Sequence, residues 1–107
     1  MARIVVLSPD LMLGSKVEAT LRAAGHDITL SPSIGEAPIQ GADLLIVDLE
    51  LEKAEAVVGL GMPVLGYYPH TKSEIRQAAE AAGVDLVVPR SRMAREMTEL
   101  VERLLGG

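Results

Sequence analysis

Two segments of this chain, Ile4-Val5-Val6-Leu7 and Leu44-Leu45-Ile46-Val47, contain no polar residue. A β-strand with one solvated face alternates apolar and polar side chains, whereas a strand without alternation is covered on both faces. Sheets covered on both faces are built mainly from parallel strands, because each parallel crossover lays a helix over the sheet. The remaining sequence supplies the strands and crossovers that such a sheet requires.

Asp27–Leu30, Pro63–Tyr68 and Leu86–Val88 read as three further strands. After the first run, Ser8-Pro9-Asp10 has the form of a helix start, with Ser8 as cap, Pro9 at the first helical position and Asp10 at the positive end of the helix dipole. Leu13, Val17, Leu21 and Ala24 then recur three and four apart, giving one apolar face that Gly25 closes. Ser31–Gly41 contains Pro32, Gly35 and Pro38, so at most a short helix fits near Ile34–Ile39. Glu52–Val58 is helical in character but short, and Gly59 and Gly61 end it. Thr71-Lys72-Ser73-Glu74 is a capping-box pattern. Behind it Ile75, Ala78, Ala79 and Ala82 form the expected buried face, and Gly83 ends the helix. The last helix is expected from about Arg92 to Leu105, with Met93, Met97, Leu100, Val101 and Leu104 as a core-packing stripe.

Five β-α units without a long linker make one domain over residues 1–107. Right-handed crossovers leave two architectures, half of a Rossmann sheet and a flavodoxin-like sheet, and five units at this length favour the second. The expected fold class is therefore α/β, a doubly wound five-stranded parallel sheet of order 2-1-3-4-5 with short second and third helices.

Composition narrows the functions. There is no Phe, Trp or Cys, so the core is aliphatic and disulfide or thiolate chemistry is excluded. The net charge is −5, with no basic run and two aromatic residues, which argues against nucleic acid as a partner. The apolar run at the N-terminus is too short for a signal-peptide core, and no stretch approaches the roughly 20 apolar residues of a membrane span. A soluble cytoplasmic protein that binds no membrane is expected. No phosphate-binding glycine loop, GxSxG or HExxH motif is present, and no nucleophile–base pair is visible, so an enzyme is not expected.

In a sheet of this order, ligands bind beyond the carboxyl ends of the strands, where strands 1 and 3 lie side by side. That rule selects Ser8, Pro9 and Asp10 after strand 1 and Asp48 after strand 3, with Tyr68, His70 and Arg90 from neighbouring strand ends. Strand alternation places one of Tyr67 and Tyr68 in the core and the other toward the site or surface. Arg90, Arg92 and Arg95 form a local basic cluster. Glu50, Glu52 and Glu55 read as a solvated face without metal-ligand spacing, and His26 as a surface-turn residue without function.

The segments Arg3–Asp10, Leu21-Arg-Ala-Ala-Gly25, Asp43–Asp48, Pro63-Val-Leu and Ala82-Gly-Val-Asp85 together resemble a response-regulator receiver domain of the CheY-like family. The resemblance spans nearly the whole chain. It implies bacterial two-component signalling, and it places the phospho-acceptor on Asp48. It places the Mg²⁺-binding acidic pair on Ser8 and Pro9, the Thr/Ser switch on Tyr68, the conserved Lys on Arg90, and the aromatic switch on about Val87. Ser8 and Pro9 offer no anionic ligand, and Tyr68 is no small hydroxyl. The chain thus resembles a degenerate, or pseudo-, receiver. Asp10 and Asp48 are the remaining candidate metal ligands. No cofactor is expected, with Mg²⁺ entering only if Asp48 is still phosphorylated.

Three readings stay open from the sequence. In the leading one the chain is a stand-alone receiver-like module acting by protein–protein contact, without efficient phosphorylation. Resemblance to receivers also implies a homodimer through the fourth helix, fifth strand and fifth helix. The alternatives are a residual aspartyl phospho-acceptor at Asp48 and a small-ligand or anion sensor at the strand ends.

Overall fold

The computed structural model describes residues 2–9 and 11–106, with the backbone alone at Leu11. Strands β1 (Arg3–Leu7), β2 (Asp27–Ser31), β3 (Leu44–Asp48), β4 (Val64–Tyr68) and β5 (Leu86–Pro89) form one parallel sheet in the order β2-β1-β3-β4-β5. Helices α1 (Leu11–Ala23), α2 (Ala54–Val57), α3 (Ser73–Ala82) and α4 (Arg90–Gly106) connect and cover it, with a 3₁₀ turn at Ile34–Glu36 between β2 and β3. The expected fold class and strand order are those observed.

Alternation along the strands divides the core in two. Ile4, Val6, Leu44, Ile46, Leu65, Tyr67 and Val88 face α1 and α4, where they meet Val17, Leu21, Met93, Met97, Leu100 and Val101. Val5, Leu7, Leu45, Val47 and Val64 face the other way, toward α2 and α3. The apolar runs are buried on both sides for this reason, and each fully buried aliphatic side chain contributes about 1.5–3 kcal/mol.

The second layer is thin where the sequence has prolines and glycines. In place of a full helix before β3, polar ties hold the loop. Arg3 donates from Nη1 to the Gln40 carbonyl at 2.6 Å and from Nη2 to the Pro38 carbonyl at 2.9 Å. The Arg3 backbone N–H donates to Asp43 Oδ2 at 2.8 Å. Glu52, from the loop after β3, accepts the Ile34 N–H at 2.6 Å and so tethers the 3₁₀ turn. Replacing Arg3 with Met leaves two carbonyls without their charged donor. We expect a loss of about 1 kcal/mol, with faster amide exchange confined to residues 39–42 as the check.

Several sequence expectations need correction. α1 begins at Leu11, so Pro9 stands ahead of the helix in a bend, and Ala24 lies exposed beyond its end. The capping box does not form. α3 begins at Ser73, so Lys72 and not Thr71 is its N-cap, and a lysine ammonium has no acceptor for the first-turn N–H groups; it pairs with Glu50 at 2.8 Å. On α3 only Ala79 is buried; Ile75 and Ala82 are half-buried and Ala78 is exposed, since α2 is a single turn and cannot cover them. α4 starts at Arg90, earlier than expected, and has a non-helical residue, Glu96 (φ −122°, ψ 17°). Glu96 pairs with Arg92 at 3.3 Å and Arg95 at 3.4 Å, so those two arginines are held locally. His26 is not a free surface residue: its side chain is 9% exposed and its Nδ1 accepts the Ala2 N–H at 3.3 Å.

Candidate functional site

The carboxyl ends of β1, β3 and β4 bring Ser8, Asp48 and Tyr67 to the α1/α4 face of the sheet. Asp48 and Tyr67 are register partners on adjacent strands, and Ser8 follows β1. All three are buried, Asp48 to 2% exposure. A buried carboxylate is costly unless it is hydrogen-bonded and its charge is offset. Here Asp48 Oδ1 accepts the Glu50 N–H at 2.9 Å, an Asx-type turn that also folds the chain back into the loop. Oδ2 faces Arg90 Nη1 at 3.5 Å. That contact is long for a hydrogen bond, so charge attraction carries most of it.

Arg90 reaches the site because α4 begins directly at the end of β5. Its guanidinium also lies 5.8 Å from the Tyr67 ring centroid, a cation–π distance. The Tyr67 hydroxyl donates to Ser8 Oγ at 2.8 Å, a buried bond joining β4 to the end of β1. Arg90 thus rests on Tyr67 and faces Asp48, and Tyr67 is tied to Ser8. One ring out, Lys72 Nζ meets Glu50 Oε2 at 2.8 Å, linking the loops after β4 and β3. The hydrogen bond to the Glu50 carboxylate, and then its charge, raise the Lys72 pKa above the ordinary 10.5. This link is intact below the ordinary lysine value and is lost only as pH rises through the raised one.

The residues selected from the sequence separate into distinct groups. Ser8, Asp48 and Arg90 converge. Pro9 is exposed, and Asp10, considered as a metal ligand, lies outside the described residues. Tyr68 is buried and alternates to the face opposite Asp48; of the site or the surface expected for one tyrosine, it is the site that Tyr67 takes, and neither is exposed. His70 is exposed in the turn before α3. Glu50 and Glu52, read as solvated, are tied to Lys72 and the Ile34 N–H. Tyr67 was not selected. Only the pairing register shows that it, and not Tyr68, shares the Asp48 face.

Among the described residues, the donor set does not suit a divalent cation. Among the described residues no three carboxylate, imidazole or thiolate groups converge. Ser8 and Pro9 bring no charge, and the guanidinium of Arg90 would repel a metal beside Asp48.

Solved structures with a similar fold include receiver domains. The response regulator receiver protein from Burkholderia phymatum superposes with a TM-score of 0.81 at 20% identity, over 99% of this chain and 96% of its own. The non-phosphorylated HemR receiver domain from Leptospira biflexa gives 0.82 at 20% identity, over 100% and 96%. The chemotaxis response regulator CheY4 of Vibrio cholerae gives 0.81 at 19% identity, over 98% and 99%. The fold is that of a receiver domain. At these identities the likeness is one of fold alone. No protein-family model matches the sequence, and no curated protein matches it. Asp48, where the resemblance puts the phospho-acceptor, ends β3 and faces the guanidinium of Arg90. Among the described residues, no helix is long and apolar enough to cross a membrane.

Proposed function

We propose that this chain is a receiver-like signalling module of the two-component type that acts by contact with a protein partner, without efficient phosphorylation. The observation that carries this reading is the engagement of Asp48 within the protein. Its Oδ1 accepts a backbone N–H and its Oδ2 faces Arg90. Phosphoryl transfer to a carboxylate brings anionic groups together and needs a cation that spans acceptor and donor. Arg90, seated on Tyr67, offsets the charge of Asp48 without a metal, and the acidic pair that would recruit one is replaced by Ser8 and Pro9. Such an arrangement keeps the receiver fold as a scaffold for contact. A second copy of the chain is one candidate partner, through α3, β5 and α4, where β5 is a sheet edge with Leu86 and Val87 half-buried.

Intact mass after incubation with Mg²⁺ and acetyl phosphate tests the reading, with Asp48→Ala as control. We expect no phosphoryl-sized gain. A gain that disappears in the control would establish Asp48 as a working acceptor and sink the proposal.

A further inference from the structure

The sheet face covered by α2 and α3 carries a groove of about 330 Å³, away from the Asp48–Arg90 cluster. Leu49 forms its floor, and Ala54, Ile75, Ala78 and Ala79 form its walls. The groove exists because the β3–β4 connection builds only the four residues of α2, leaving the sheet-facing side of α3 without a full neighbouring helix. Its walls are mostly alanine, so another backbone can approach closely. Lys53, Glu55 and Glu74 stand at its margin, and all three are exposed. Glu55 and Glu74 make no ion pair among the described residues, so the margin is net acidic on a chain that is acidic overall.

We infer that this groove takes an amphipathic helix of a partner protein, with aliphatic side chains seated between α2 and α3 and lysine or arginine residues facing Glu55 and Glu74. The inference rests on the protein-contact reading above and names the surface and partner chemistry for it. Charge complementarity selects the basic flanks, and the small, apolar walls select a helix with aliphatic anchors, the helix-in-groove mode of recognition. The volume is at the low end for a small-molecule pocket, and the walls supply none of the convergent polar groups that fix a small ligand. The groove is also joined to the site. Leu49 directly follows Asp48, and its N–H donates to the Tyr67 carbonyl at 3.0 Å. Its side chain lies over Gly66, with Cδ1 2.8 Å from where a Cβ on that residue would stand. An occupant pressing on Leu49 therefore presses on the residue that anchors the Asp48 turn.

The test uses an alanine-based helical peptide with leucines at i and i+4 and lysines beside them, titrated into the ¹⁵N-labelled full chain. Saturable amide shifts are expected at Leu49, Ile75, Ala78 and Ala79, extending to Asp48 and Glu50. The same peptide with glutamates for lysines should bind about tenfold weaker, a loss of about 1.4 kcal/mol. Ala78→Glu, at an exposed helical position, should abolish the shifts while leaving the spectrum folded. Glu55→Lys with Glu74→Lys should reverse the peptide preference. Shifts centred elsewhere, equal binding of the two peptides, or retained binding by Ala78→Glu would overturn the inference. So would equal shifts from octylamine alone, which would assign the groove to a small amphiphile. Failure of the peptide sinks the groove alone, whereas a phosphoryl gain on Asp48 sinks the contact reading itself.

Discussion

Replacing Tyr67 with Ala is expected to destabilise the protein by about 3–5 kcal/mol, the range for deleting a large aromatic side chain from a core. Tyr67 is fully buried and is the largest such side chain in the molecule. It packs in the α1/α4 half of the core with Leu65 and Val88 from the sheet. Its loss removes the ring under Arg90 and the hydroxyl that donates to Ser8 as well as core volume. Domains of this size have stabilities of about 5–15 kcal/mol, so the variant should unfold at a far lower denaturant concentration or not fold at all. Tyr67→Phe separates the two contributions. It keeps the ring and the cation–π contact but leaves buried Ser8 Oγ without that donor, at a cost of about 1–2 kcal/mol. Urea midpoints with an unchanged slope provide the check. A Tyr67→Phe variant as stable as the parent would show that the Ser8 bond contributes nothing.

Arg90→Met should cost about 1–2 kcal/mol. Removing one member of a fully buried ion pair costs more, because the remaining charge is stranded. Here the Arg90 side chain is 31% exposed and the contact is 3.5 Å, so water screens part of the loss. Asp48 keeps the Glu50 N–H, which also limits the cost. A double-mutant cycle with Asp48→Asn isolates the pair. The account expects a favourable coupling on the order of 1 kcal/mol, with the double variant recovering much of the Arg90→Met loss. Strict additivity would mean that the two groups are neighbours without interacting.

The sheet was legible in the sequence because unbroken apolar runs have one common use, and the short second and third helices because prolines and glycines punctuate those stretches. Asp48 and Arg90 were legible from the strand-end rule alone. Other features depend on spatial relations that the sequence does not contain. Tyr67 and Tyr68 differ by one position, and a one-residue change of position along a strand moves a side chain to the other face. Pairing with Asp48, not composition, decides between them. The Thr71–Glu74 pattern fits a capping box locally, but α3 starts at Ser73, which puts Lys72 at the N-cap and Thr71 one residue too early. Glu52 looks solvated until the 3₁₀ turn places the Ile34 N–H beside it. The apolar spacing on α3 anticipated burial that only a longer α2 would provide, and that shortfall is what opens the groove.

On the proposed reading, the guanidinium of Arg90 offsets the charge of Asp48 in place of a metal, and Asp48 takes no phosphoryl group. The most direct measurement is a titration of Mg²⁺ with beryllofluoride, a phosphoryl mimic, followed by amide spectra of the parent chain. The account predicts no saturable shift at Asp48, Leu49 or Tyr68. Saturable shifts at those amides that vanish in Asp48→Ala would contradict it and show that Arg90 yields its place to a metal.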